Sequence, residues 1–395
     1  MAHFSFPDGV KTILKTLNGA GYDAYAVGGC TRDMLLGRAP GDWDIAASAL
    51  PDEVAALFDT VLPTGLRHGT VTVKCGGIAA EVTTFRTEGA YTDRRHPDSV
   101  EFVCDIRGDL ARRDFTMNAI AVPLSGEVCD PFCGRDDIAR RTIRCVGEPE
   151  RRFSEDALRM LRALRFSSQL GFDIEKETLD GIYACAPLAA GLSPERVFSE
   201  MRRLLSGDCA QALGLLLSSG VMDAWCGRTR SPALSRVDKI APQGLSRLGA
   251  VCAVLESEGC RRTRAFLTAL RAPSHDTDVC SRAAAAALGT MPGNQADWKR
   301  LLRDIGEESC RVAAAAHLVL TGEDVLPALA EVLYSGQCRS LRELAVNGRD
   351  MQSLGFSGCS VGAALDALLE HVMEFPEDNS RERLMTLAGR LKNTR

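Results

Sequence analysis

Nowhere in its 395 residues does this chain run eighteen or more apolar side chains together, the length a helix needs to cross a bilayer. Its opening, MAHFSFPDGVK, also lacks the charged-then-apolar order of a secretory signal. A soluble, cytoplasmic protein with no membrane partner is therefore expected. The fifteen cysteines are scattered from Cys30 to Cys359 without a single C-x-x-C pair. Cys129 and Cys133, with Cys104 and Cys145 nearby, come closest to a metal pattern, and their spacing is poor for zinc. Reduced thiols are the expectation for a large chain without a signal. A net charge of −5 excludes a polycation, so any nucleic-acid surface must be local. No repeat of fixed period is present.

What is present points to two or more domains, because 395 residues exceed the size at which one core keeps growing. The first third reads as mixed α and β. Val10–Leu17 has helical spacing, Tyr25–Val27 is a short strand entering Gly28-Gly29, and Arg32–Leu36 opens a helix that Gly37 can end. A strand holding Asp42 and Asp44 follows. Thr70–Lys74 and Ile78–Phe85 form a hairpin about Gly76-Gly77, and Val100–Val103 is a further strand. From Ser154 the pattern turns Ala- and Leu-rich and helical, over Ala157–Leu170, Pro194–Leu205, Cys209–Leu217, Leu248–Leu255, Ala313–Leu320 and Val361–Met373. The class is α+β, a mixed-sheet head followed by an all-α remainder. Breaks are expected near Gly147-Glu148-Pro149, Gly227–Pro232 and Ala272–Ser274.

Chemistry concentrates first in YAVGGCTRDMLLGRAPGDWDIAASA, Tyr25 to Ala49. Asp42 and Asp44 at i and i+2 of a strand point to one face. Gly28 and Gly29 allow backbone N–H groups to approach phosphate without a Cβ in the way, and Arg32 adds a cation. Mg²⁺ prefers oxygen ligands and takes one or two carboxylates plus substrate phosphates, which is what this segment offers. Alone, a D-x-D pair is more often two solvated acids; the glycine turn and Arg32 tip the balance towards a metal-assisted nucleotide site.

A second concentration is SEDALRMLRALRFSSQLGF, Ser154 to Phe172. At 100° per residue Ala157, Leu158, Met160, Leu161 and Leu164 gather on one side, with Asp156, Arg159, Arg162 and Arg165 across the other. A carboxylate beside a guanidinium fits the amine and ring nitrogen of cytosine, and equally those of adenine. Uracil and guanine present a carbonyl and a ring N–H there, at a cost of about 1–3 kcal/mol for each group left unsatisfied. The plain alternative is a solvated helix face with an i, i+3 pair worth about 0.2–0.5 kcal/mol.

These segments resemble the class II tRNA nucleotidyltransferases, the CCA-adding enzymes and their bacterial poly(A) polymerase relatives. The resemblance continues in order through PTGLRHGTVTV at Pro63–Val73, EVTTFRTEGAYTDRRHPDSVEF at Glu81–Phe102, DLARRDFTMNAIA at Asp109–Ala121 and PERVFSEMRRLL at Pro194–Leu205. It returns weakly in ELAVNGRDMQSLGF at Glu343–Phe356.

The resemblance implies a polymerase-β-like nucleotidyltransferase head at 1–146, a helical neck at 147–226, a helical body at 227–340 and a tRNA-binding tail at 341–395. It implies addition of C, C and A to a tRNA 3′ end from CTP and ATP, with poly(A) polymerase or an A-adding or CC-adding relative as the alternative. Asp42 and Asp44 would hold Mg²⁺. Gly28, Gly29, Arg32, Arg113, Asp114, Asn118, Arg162 and Arg165 would bind the nucleotide, with Asp156 and Arg159 reading its base and Glu155 supporting them. Glu81 is a candidate third acid. Glu88–Val103 keeps the loop that CC-only enzymes lack, although Arg94, Ala47 and Cys30-Thr31 depart from the usual residues. His68 and His96 suit loop or hydrogen-bonding roles rather than metal. No H-x-x-H-D run surrounds His275, His317 or His371, against an appended HD phosphatase. Arg140, Arg141, Arg144, Arg151 and Arg152, with Arg339, Arg342, Arg349, Arg381, Arg383 and Arg390, form the candidate tRNA surface; monomer and homodimer both remain open.

Overall fold

The computed structural model describes residues 4–66, 69–88, 100–103 and 105–393. His68, Arg94, His96 and Cys104 lie outside the described residues, as does most of the loop retained between Glu88 and Val103. The chain forms two compact units, Met1–Ala224 and Trp225–Arg395.

The first unit opens with α1 (Asp8–Gly19), β1 (Ala24–Val27), α2 (Gly29–Leu35), β2 (Trp43–Ala47) and α3 (Pro51–Leu57). Next come β3 (Val61–Gly65), β4 (Thr70–Cys75), β5 (Ile78–Thr84), β6 (Arg86–Glu88), β7 (Val100–Phe102), α4 (Ile106–Ala111) and β8 (Ala121–Pro123). The six-stranded sheet runs β3-β4-β5-β2-β1-β8. Every neighbour is antiparallel except β2 and β5, which are parallel.

Alternation along β2 divides its residues between two cores. Trp43, Ile45 and Ala47 pack with Val10, Ile13, Leu14 and Leu17 of α1 and with Val71, Val73 and Val82 of the hairpin. Those four α1 side chains are wholly buried, each contributing about 1.5–3 kcal/mol by removal from water. The helix lies so close to the hairpin end that a Cβ on Gly9 would stand 2.4 Å from the Cys75 carbonyl oxygen. Ala46 and Val27 belong to the opposite core, with Phe85, Ile106, Leu110, Ala119, Ala121 and Val146. Asp44 shares that face by alternation.

After α5 (Gly134–Arg140) and β9 (Thr142–Ile143) the chain becomes helical, with α6 (Pro149–Glu155) and α7 (Leu158–Leu170) in succession. β10 (Asp173–Ile174) returns to pair in parallel with β9, fastening the end of α7 to the residues just before α6. α8 (Lys176–Cys185), α9 (Pro194–Leu204) and α10 (Ala210–Ser218) complete the unit.

The second unit contains α11 (Ser246–Ser257), α12 (Thr263–Ala269), α13 (Ser274–Leu288), α14 (Gln295–Ile305), α15 (Glu307–Thr321), α16 (Leu326–Tyr334), α17 (Gly348–Ser353), α18 (Cys359–Glu374) and α19 (Arg381–Asn393). α11 and α15 cross tightly, since a Cβ on Gly249 would meet Val312 Cγ1 at 2.1 Å. The motif Glu343–Phe356 folds as a capped helix: Asn347 and Asp350 exchange side-chain-to-backbone bonds at the start of α17. Among the described residues no helix is long and apolar enough to span a membrane.

Two local expectations are corrected. Asp42 does not lie on the strand; β2 begins at Trp43, and Asp42 occupies the exposed bend before it. Asp156 does not lie on a helix either. It is an extended residue (φ −141°, ψ 105°) between α6 and α7, because the helix opened by Pro149 ends at Glu155.

A candidate nucleotide site where the first sheet meets α7

The turn after β1 requires glycine. Gly28 has φ +75° and ψ −132°, and a Cβ there would stand 3.0 Å from Arg113 Nη1 and 3.3 Å from Asp44 Oδ2. That missing carbon leaves a guanidinium and a carboxylate facing each other across bare backbone. Gly29 faces Arg32, whose Nη2 would be 3.7 Å from an added Cβ.

Register sets the acids. Val27 of β1 stands opposite Asp44, and Glu81 of β5 stands beside it on the other side. Partner residues in register share a face, so Asp44 and Glu81 project together. Burial raises the Asp44 carboxyl above its ordinary value, Arg113 opposes, and the charges of Glu81 and Asp42 add to the rise. A buried carboxylate with two further acids near it is the donor chemistry a divalent cation relieves, and all-oxygen donors suit Mg²⁺. Among the described residues no three His, Cys, Asp or Glu side chains close on one point, so substrate oxygens and water would have to complete a metal's shell.

Five arginines surround this corner. Arg113 donates to Asp109 Oδ2 at 3.0 Å, while Arg112 grips Oδ1 of the same carboxylate at 2.7 Å and 3.0 Å. Burial alone would raise Asp109, but Arg113 and Arg112 outweigh it and hold the carboxyl below its usual range. Arg113 Nε is buried with no partner. A buried N–H without an acceptor costs about 1–3 kcal/mol, and an incoming anion would recover it.

Arg32 donates to Asp33 at 2.8 Å and to Asn118 Oδ1 at 2.9 Å, and Asn118 passes the chain to Asp114 at 3.2 Å. Arg162 closes on Asp114 Oδ2 through two bonds of 2.8 Å and 2.6 Å. Burial pushes Asp114 up, yet Arg162 and Asn118 bring it down to about 2. Arg165 bonds Glu200 at 2.6 Å and Gln169 at 2.9 Å.

The hub of these cations is Phe166. Its ring carries Arg165 at 3.9 Å, Arg32 at 5.2 Å and Arg162 at 5.5 Å from the centroid. Three like charges on one ring are tolerable because the ring face is negative and each guanidinium keeps one carboxylate. Burial and the Arg162 charge nonetheless pull Arg165 below the ordinary guanidinium value, with Glu200 opposing. Such crowding favours a polyanionic ligand.

Asp156 and Arg159, the pair expected to read the base, are built differently from their sequence image. Arg159 bonds Glu155 Oε2 at 2.7 Å and the carbonyls of Arg152 and Arg112 at 3.2 Å and 3.3 Å. Asp156 accepts the Leu158 amide on Oδ1 at 3.0 Å and Arg196 on Oδ2 at 2.9 Å. Thus Gly28, Asp44, Arg113, Arg32, Asn118, Asp114, Arg162 and Arg165 form one linked corner, Glu155 meets Arg159, and Asp156 engages α9. Reading the sequence missed Phe166, Asp109, Glu200 and Arg196. An aromatic directly after two arginines one helical turn apart was a readable sign; the other three are partners made only by packing.

Residues 24–144 match the Poly A polymerase head domain, and residues 171–226 match the probable RNA and SrmB-binding site of polymerase A. The CCA-adding enzyme of Geobacillus stearothermophilus is 41% identical over 381 residues, spanning 94% of each chain. The chain belongs to the CCA-adding enzyme family. The Levilactobacillus brevis CCA-adding enzyme is 36% identical over 95% of this chain and 96% of its own. The crystal structure of the Bacillus stearothermophilus CCA-adding enzyme in complex with CTP matches with a TM-score of 0.80 at 38% identity, covering 98% of this chain and 97% of that one. The likeness of this CCA-adding family member thus reaches into its helical remainder.

Proposed function

We propose that this nucleotidyltransferase completes tRNA 3′ ends by adding C, C and A from CTP and ATP without a nucleic-acid template. What carries the reading is the near-complete coverage of CCA-adding enzymes at 36–41% identity, joined to a corner whose cations await a polyanion. The 3′-hydroxyl of the tRNA attacks the α-phosphorus; an O3′–P bond forms, the bond to the β-phosphate bridging oxygen breaks, and pyrophosphate leaves.

Asp42 and Asp44 serve as metal ligands, with Glu81 available beside Asp44. Two Mg²⁺ ions, when bound, supply Lewis acidity to the attacking and leaving oxygens. Gly28 and Gly29 bring backbone against the triphosphate, and Arg32, Arg113, Arg162 and Arg165 bind its charge, braced by Asp114 and Asn118. Asp156 and Arg159 select C or A, with Glu155 holding Arg159. We further propose the finer division into head 1–146, neck 147–226, body 227–340 and tail 341–395, a cytoplasmic setting, and a working unit of one or two chains.

The head match to poly(A) polymerase keeps that activity as a second reading. Supplying tRNAs that end at the discriminator base, at C or at CC with CTP and ATP separately resolves the two. CCA synthesis predicts C, C and then one A; long A tails on generic RNA without C incorporation would overturn it.

A further inference from the structure

An aspartate and an arginine three residues apart pair with each other by default, and a pair so satisfied has little left to offer a base. Here each has a separate partner: the Arg159 ion pair runs to Glu155, and the Asp156 ion pair runs to Arg196 of α9. Asp156 needs such a partner more than most, because it sits in the extended link between α6 and α7, where helical geometry does not aim its side chain. Its carboxylate is fixed at two points by two elements, the Leu158 amide on Oδ1 and Arg196 Nη2 on Oδ2. A carboxylate has about four acceptor positions, so two bonds fix its plane and leave room for an exocyclic amine.

From this geometry we infer that Arg196 is a specificity-determining positioning residue, which holds Asp156 apart from Arg159 and aimed at the amine of C or A. The inference rests on the reading of Asp156 and Arg159 as base selector. Without Arg196 the carboxylate turns to Arg159, the two neutralise each other, and the edge that rejects U and G is lost. Substrate binding through the triphosphate, which lies with other residues, persists.

The test compares kcat/KM for CTP and UTP on a tRNA acceptor in the full-length protein and in Arg196→Gln, Arg196→Lys and Asp156→Asn, with melting temperatures measured alongside. In Arg196→Gln the CTP-to-UTP preference falls at least about tenfold, the factor equivalent to 1.4 kcal/mol, through loss of CTP rather than equal loss of both. Arg196→Lys, which keeps a cation, restores most of the preference. An unchanged preference in Arg196→Gln, equal loss of CTP and UTP, or a lysine variant as unselective as glutamine would each overturn the inference. Asp156→Asn separates the two layers: a relaxed preference there with an unaffected Arg196→Gln removes only the role of Arg196, whereas an unchanged preference in Asp156→Asn removes the selector reading itself.

Discussion

Both compact units gather arginines, but they do so to different ends. In the second unit Arg300 is saturated, with Asp297, Glu370 and Glu374 at 2.8 Å, 2.8 Å and 2.6 Å, and Arg303 adds Glu370 and Asp304. Acids there match the cations, and the cluster ties α14 to α18. In the first unit Arg112 and Arg113 share Asp109, and Arg32, Arg162 and Arg165 crowd one phenylalanine ring with a single carboxylate each. The two clusters differ in how many carboxylates each arginine keeps. On the reading proposed above, the polyanion site is marked by arginines that share one aromatic ring with a single carboxylate each, and the structural clasp by an arginine with three.

The comparison can be attacked at its strongest point first. Asp44→Asn is expected to lower kcat by about 10³-fold or more, the several kcal/mol that metal-stabilised charge contributes, while the melting temperature stays near that of the parent. Arg113→Ala should lower kcat/KM for CTP and ATP by about 10²–10³-fold, as loss of one preorganised charge does. The matching change Arg300→Ala should leave nucleotide kinetics within about twofold and instead lower the melting temperature, as loss of a partly exposed network does. If Arg300→Ala depressed nucleotide turnover as deeply as Arg113→Ala, saturation would be no guide to function.

Acid stability sharpens the same contrast. The Asp114 carboxyl is lowered from the usual 3.8 to about 2, so its stabilisation is fully present above pH 4 and is lost as pH falls through 2. That is worth about 2 kcal/mol, and Asp114→Asn should flatten the acid limb of unfolding between pH 4 and 2. The smallest effect belongs to the hub. Phe166→Leu loses cation–π contacts of about 0.5–1 kcal/mol each and should raise KM for both nucleotides several-fold, with Phe166→Tyr restoring most of it. Equal behaviour of Leu and Tyr variants would reduce the ring to mere filling.

Local pattern made the elements legible. The helix at Val10–Leu17, the hairpin about Gly76-Gly77 and the helix at Pro194 lie within a few residues of their expected bounds, because periodicity and turn chemistry act over one element. The candidate site was legible from neighbouring residues within each motif and, across motifs, from the family resemblance; the contacts that join distant elements were not. Glu81 beside Asp44 depends on which strand pairs with β2; Arg165 with Glu200 and Asp156 with Arg196 depend on how α9 packs. A helical wheel placed Asp156 and Arg159 on one face, and the break after Glu155 set Asp156 aside, since a spacing rule holds only while the helix continues.

The pairing of Val27 with Asp44 and of Ala26 with Ile45 carries a rule about chain length. One residue inserted after Trp43 turns the second aspartate under α1, among Val10, Ile13 and Leu14, where an unpaired carboxylate cannot be hydrated. Two residues bring the original parity back. Variation at this point of the strand is therefore countable in even steps only, so that odd and even insertions would sort themselves into dead and living enzymes without any change of side-chain chemistry.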